Sequence, residues 1–170
     1  YGDEGGGFDI ARQAVRAALR EHEGWGPRTA LMPAVIELTG ATDANDALHR
    51  LYTTDWPRAR VAEMAIAVDR IASEGDPLAA DILRQAAQQL ALLAAAVRRQ
   101  LWSEGSVRVG HVGGVFQSAI LLDRFRTLIT LDGEAETEAP RRSPAAGALI
   151  LAYKLAGLPT KPHPLPAVKS

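Results

Sequence analysis

Two carboxylates set among glycines, Gly2-Asp3-Glu4-Gly5-Gly6-Gly7, stand directly before a helical pattern. Glycine has no Cβ, so such a loop lets the backbone approach a phosphate or a flat base closely, and the helix start behind it presents free N–H groups to an anion. Asp3 and Glu4 can accept hydrogen bonds from sugar hydroxyls or hold a magnesium ion through water. The plainer role of either carboxylate is to favour the positive end of the following helix. A second glycine pair lies in Val112-Gly113-Gly114-Val115-Phe116-Gln117-Ser118, between a β-like run, Val107 to Val112, and a helix expected to begin near Ser118. Strand, glycine turn and helix start, in that order, form the junction at which α/β folds hold nucleotides. The alternative is an ordinary tight strand-to-helix turn in which Ser118 only caps the helix.

Most of the chain between these clusters reads as helix. Phe8 to Glu21 is apolar at Ile10, Ala14, Ala17 and Ala18 and basic at Arg12, Arg16 and Arg20, and Gly24-Trp25-Gly26-Pro27 breaks it. A shorter helix through Leu31, Val35 and Leu38 should end near Gly40, and Asp43 to Leu51 adds another turn or two. Asp55-Trp56-Pro57 gives a cap-and-proline start to a helix carrying Val61, Ala65, Val68 and Ile71, closed by Gly75. Asp76-Pro77 repeats that signal. The helix behind it runs from Leu78 to Leu101 with apolar residues every three or four positions and forms the backbone of the domain. Past the glycine turn, Ser118 to Thr130 reads as helix, Glu134 to Glu138 as an edge strand, and Ser143-Pro144 as the start of a last apolar helix reaching Leu155. The segment from Pro159 to Ser170 is a proline-rich tail.

Composition narrows the chemistry. The 170 residues carry 19 Lys and Arg against 20 Asp and Glu, a net charge of −1 that gives no general reason to expect nucleic acid or a membrane surface as partner. There are no cysteines, which removes disulfides, iron–sulfur clusters and thiolate zinc sites and fits a reducing cytoplasm. The apolar run from Leu90 to Val97 is too short and too polar at its borders to span a bilayer. His22, His49, His111 and His163 show no metal-ligand spacing, and His111 is expected to pack rather than to catalyse. The Arg12, Arg16 and Arg20 stripe is expected to be a solvated face paired with Glu21 or Glu23, and Trp25, Trp56 and Trp102 to anchor packing near helix ends.

Three segments together resemble the carboxy-terminal lobe of N-acetylglucosamine kinase-like proteins, in the BadF/BadG/BcrA/BcrD-type ATPase branch of the actin-like ATPase and sugar kinase superfamily. Gly2-Asp3-Glu4-Gly5-Gly6-Gly7 resembles a GDEGSG-type loop, Val112-Gly113-Gly114-Val115 with Ser118 resembles the adenosine-binding turn, and Pro144-Ala145-Ala146-Gly147-Ala148 resembles the final helix start. Their order and spacing cover nearly the whole chain. One departure is Gly6, where the family commonly has serine, so a hydroxyl contact is lost.

The resemblance implies a helix-rich α/β fold of the ribonuclease H-like, actin-like ATPase type, with a short sheet and several long helices. Residues 1–158 would form the ATP-binding lobe and 159–170 a flexible tail. It further implies ATP and magnesium as cofactors, Gly113, Gly114 and Ser118 at the nucleotide, and the loop of Asp3, Glu4, Gly5 and Gly6 facing phosphate or sugar. Related kinases are similar in using an amino-terminal lobe with a phosphate loop and an aspartate base, and no such lobe precedes Tyr1. On this reading the chain is half of a cytoplasmic hexosamine kinase acting on N-acetylglucosamine or glucosamine, inactive alone and able to dimerise through this lobe. The alternatives are a non-catalytic helical module that binds a partner, and an ATPase activator of a CoA-ester reductase. The last is disfavoured because such activators hold an iron–sulfur cluster with cysteines.

Overall fold

The computed structural model describes residues 2–53, 56–102, 104–131, 133 and 135–159. Helix α1, Gly7–His22, buries Ile10, Ala11, Ala14 and Ala18, and the turn at Gly24 ends it as expected. Its exposed side differs from expectation. Arg12 pairs with Asp9 at 2.7 Å, and Arg20 lies 5.1 Å above the ring of Trp25. Trp25 is itself 65% exposed, so it shields an arginine rather than anchoring the core. Helix α2, Leu31–Thr39, stops at Gly40 in a left-handed cap with φ of 64°, and α3, Ala44–Leu51, starts at Asp43, whose carboxylate accepts from the Asp46 N–H.

The single helix expected between Pro57 and Gly75 is divided. Helix α4, Arg58–Ala62, and α5, Met64–Ser73, meet at Glu63, whose N–H donates to the Arg60 carbonyl and whose carbonyl accepts from Ile66. Both are three-residue hydrogen bonds, so the chain tightens into a 3₁₀ turn at that point. The tightening falls beside a close approach of α1, since a Cβ on Gly7 would lie 3.1 Å from the Ala62 carbonyl oxygen. The proposed Asp55 cap lies outside the described residues. Trp56 is buried, with the Arg60 guanidinium 4.2 Å from its ring.

Helix α6, Pro77–Leu101, spans 25 residues and crosses the molecule. Pro77 occupies its first turn, and Asp76 accepts from the Leu78 and Ala79 N–H groups. The other oxygen of Asp76 accepts from the Thr29 hydroxyl and the Ala30 N–H, both at 2.7 Å, so one carboxylate caps α6 and fixes the approach to α2. Ala79, Ala86 and Ala87 are fully buried in α6, and these small side chains let α1, α5 and α7 pack closely on it. Ile10, Leu31, Leu83 and Leu121 are the largest fully buried side chains and mark the centre of the core.

Strand β1 covers Val107–Gly110, shorter than the expected run to Val112, because the ladder with the second strand ends at Gly110 and leaves His111 and Val112 unpaired in it. It pairs in parallel with β2, Ala135–Glu138, in the register Val107 to Ala135 and Gly110 to Glu138. Glu134, expected to begin β2, lies outside the described residues. Between them come a 3₁₀ turn, Gly114–Gln117, absent from the sequence reading, and helix α7, Ala119–Leu131. Helix α8, Pro144–Leu155, is capped by Ser143, whose Oγ accepts from the Ala146 N–H at 3.3 Å. No residue of α8 is buried, although Leu149, Leu151 and Leu155 are apolar. The tail beyond residue 159 lies outside the described residues. Among the described residues no helix is long and apolar enough to cross a membrane.

Candidate functional site

The amino-terminal glycine loop is shaped by its own carboxylates. The Asp3 carbonyl accepts from the Gly6 N–H at 2.9 Å, and the Asp3 side chain pairs with Arg58 of α4 at 3.2 Å. Arg58 also lies 4.5 Å above the Phe8 ring, which fastens loop, α1 and α4 together. Glu4 is exposed and, among the described residues, accepts from the adjacent Asp3 N–H. Gly5 sits at φ of 77° with its Cα pressed on α6, and a Cβ there would fall 2.6 Å from the Ala86 carbonyl oxygen. A Cβ on Gly6 would meet the Asp3 carboxylate at 2.8 Å, so a serine at this point would displace that carboxylate.

Asp9, which the sequence reading passed over, holds the loop from beneath. Its carboxylate is 6% exposed and accepts from the Gly5 N–H at 3.2 Å, from Arg12 at 2.7 Å and from Gln13 at 2.9 Å. Burial pushes its pKa up, but the hydrogen bonds from Arg12, Gly5 and Gln13, with the Arg12 charge, outweigh this and hold it below the ordinary value. The signal was present in the chain: an acidic residue three positions into a helix can reach back to the preceding N–H groups.

At the second cluster Gly113 has φ of 129°, a conformation that favours glycine, and the 3₁₀ turn follows immediately. Ser118 is buried, and its Oγ accepts from the Leu121 N–H at 3.2 Å, so it caps α7 as the plainer reading held. His111 packs against Phe116 and Phe125, with ring centroids 5.2 and 6.3 Å away. Burial, and secondarily the charge of Arg126, lowers its pKa, which favours a neutral packed imidazole.

The two clusters meet in one cleft of about 470 Å³, within the range of small-molecule sites. Gly7 and Ile10 of α1 form one side, Gly114, Val115, Gln117 and Ser118 another, and Ala62 of α4, Glu63 at the junction, and Ile66 and Asp69 of α5 a third. Asp3, Glu4, Gly5, Gly6 and Gly113 are not among its walls, so only Gly114 and Ser118 of the residues expected at a ligand line it directly. Asp69 stands out: its Oδ1 is buried without a hydrogen bond, and the carboxyl has no partner among the described residues. No group of three or more His, Asp or Glu among the described residues could hold a metal ion.

Comparison with known proteins bears on this arrangement. The family model of the BadF/BadG/BcrA/BcrD ATPase family matches residues 1–152. The chain is 28% identical over 154 residues to an N-acetylmuramic acid/N-acetylglucosamine kinase of Clostridium acetobutylicum, covering 89% of this chain and 50% of that protein. It superposes with a TM-score of 0.62, at 26% identity, on the crystal structure of a candidate N-acetylglucosamine kinase from Chromobacterium violaceum, covering 88% of this chain and 48% of that one. The chain thus spans about half the length of the relatives it matches. The helix-rich α/β architecture with its short sheet is that of an actin-like ATPase lobe. With the match extending from the first glycine loop through most of α8, the chain belongs to the BadF/BadG/BcrA/BcrD ATPase family.

Proposed function

We propose that residues 1–158 form the ATP-binding lobe of a cytoplasmic kinase that phosphorylates an amino sugar, N-acetylglucosamine or glucosamine. The observation that carries this reading is the single cleft that brings the start of α1 together with the Gly114 to Ser118 turn. Apolar walls from Ile10, Ile66 and Val115 suit a flat base, while Gly114 leaves room beside its backbone, since nothing lies within 4 Å of where its Cβ would be. ATP supplies the γ-phosphoryl group when bound. Magnesium would arrive held by its phosphates and waters, as this hard cation commonly is, because the described residues offer it no ready cage. Asp3 and Glu4 would then face phosphate or sugar from the loop beside Arg58, with Asp3 oriented by that guanidinium.

Phosphoryl transfer depends on positioning and charge neutralisation from both sides of a cleft. A second lobe carrying a phosphate loop and a base for the sugar hydroxyl completes the proposal, and the lobe alone should turn over little ATP. The apolar, uncovered α8 supports a second body against this one. It equally favours the second reading, a helical module that dimerises or binds a partner without catalysis.

The test is a coupled ATP-consumption assay on the native full-length protein, with N-acetylglucosamine and with glucosamine, alongside its intact mass. A protein of roughly twice this chain, the usual size of two lobes, with sugar-dependent turnover is the expected result. A native protein no longer than this chain, consuming no ATP with either sugar, would overturn the kinase reading and leave the interaction module.

A further inference from the structure

Among the described residues, Asp69 carries the one carboxylate oxygen that is closed off from solvent without a hydrogen bond. Asp9 accepts from three donors, and Asp76 from four. Asp69 accepts from none among the described residues, and its Oδ1 is closed off from solvent. A buried acceptor without a donor costs free energy that folding must offset, and native structures keep few of them. This one lines the cleft between the two glycine turns, whose walls include apolar Ile66, Leu83, Ala65 and Val115 and polar Glu63, Gln117 and Ser118.

We propose that Asp69 is a specificity-determining residue of this cleft, accepting a hydrogen bond from the exocyclic amine of a purine nucleotide. The inference rests on the nucleotide reading above and goes beyond it by naming the group that reads the base. A carboxyl set in apolar walls matches a flat ring that carries an N–H donor at its edge. A ribose hydroxyl is the other donor that a nucleotide offers, and because both nucleotides compared below carry the same ribose, the comparison separates the two. Asp69 follows the buried Val68 on α5, so the helix that supplies core contacts also fixes the direction of this acceptor. A small turn of the carboxyl group brings either oxygen to the donor, and binding then satisfies a group that is otherwise orphaned.

The experiment compares the affinities of the native full-length protein for ATP and for purine riboside triphosphate, which has the same ring and lacks the exocyclic amine. ATP should bind at least about tenfold more tightly, as expected when a site built to pair with a donor is left unpaired. In Asp69→Ala the two nucleotides should bind within about twofold of each other, since neither loses a partner. Asp69→Asn keeps the side chain's size and one acceptor oxygen, and should retain part of the preference; it also carries the test if the alanine variant does not fold. Equal binding of both nucleotides by the native protein, or an undiminished ATP preference in a folded Asp69 variant, would overturn the assignment while leaving nucleotide binding intact. If the native protein binds neither nucleotide, the nucleotide reading and this inference fall together.

Discussion

Gly5→Ala should destabilise the protein by about 2–5 kcal/mol, combining the cost of a left-handed conformation for a residue with a Cβ and that of overpacking. The added methyl would sit 2.6 Å from the Ala86 carbonyl oxygen and 2.7 Å from Leu90 Cγ, inside contact distance of helix α6, at a φ of 77°. Neither obstacle yields easily: one is the backbone of a packed helix, the other the branch point of a half-buried leucine. The comparison variant is Gly24→Ala, at a similar φ of 82° but with nothing within 4 Å of the new Cβ. It should lose only the conformational part, about 1–2 kcal/mol. Chemical denaturation of both variants measures the difference, and equal losses would mean that the loop is not seated on α6 as described.

Asp76→Ala should cost about 2–4 kcal/mol, since it removes a helix cap and leaves donors on two elements without their acceptor. The same carboxylate receives the Leu78 and Ala79 N–H groups of α6 and the Thr29 and Ala30 groups before α2. The melting temperature should fall by roughly 5–15 °C for a domain of this size. The group also makes stability depend on acid. Burial pushes its pKa up, but the hydrogen bonds from Ala79, Ala30, Thr29 and Leu78 outweigh this and hold it below 3.8. A carboxyl with a depressed folded pKa contributes fully above its unfolded value and loses that contribution as the pH falls through the folded one. The gap between native and Asp76→Ala melting temperatures should therefore be constant near neutrality and narrow below about pH 4. A gap that stays constant into strong acid would show that the carboxylate is not what joins the two helices.

The helices were legible because their ends carry chemical punctuation. Asp76-Pro77 and Ser143-Pro144 start α6 and α8 where expected, Gly40 closes α2 in the left-handed cap, and Asp43 caps α3. The break at Glu63 was not legible, because a switch from four-residue to three-residue hydrogen bonds leaves the apolar spacing of Val61, Val68 and Ile71 almost unchanged. The glycine turns were visible as turns, but which glycine faces the cleft depends on how α1, α5 and the Gly114 turn converge from distant parts of the chain. Asp69 was hidden for the same reason, since an aspartate on the wet side of an amphipathic helix looks like any other until a neighbouring element closes over it. Periodicity also marked α8 as apolar without revealing that nothing described covers it, because a pattern states which face seeks burial and not whether it finds any.

Helix α6 is one continuous element in two different settings. Its buried residues, Ala79, Ala80, Ile82, Leu83, Ala86, Ala87 and Ala91, all lie before residue 92, whereas Leu92, Leu93, Val97 and Leu101 beyond it are each more than half exposed. Opening the first half requires disrupting the core, while the second half, with its apolar side chains largely exposed, opens at less expense. Amide protons should therefore exchange along a gradient, slowest near Leu83 and fastest near Leu101, and uniform protection over the whole helix would contradict it. The softest stretch adjoins β1, so thermal fluctuation should enter the fold at the sheet, at the opposite end of α6 from the helix start that Asp76 secures.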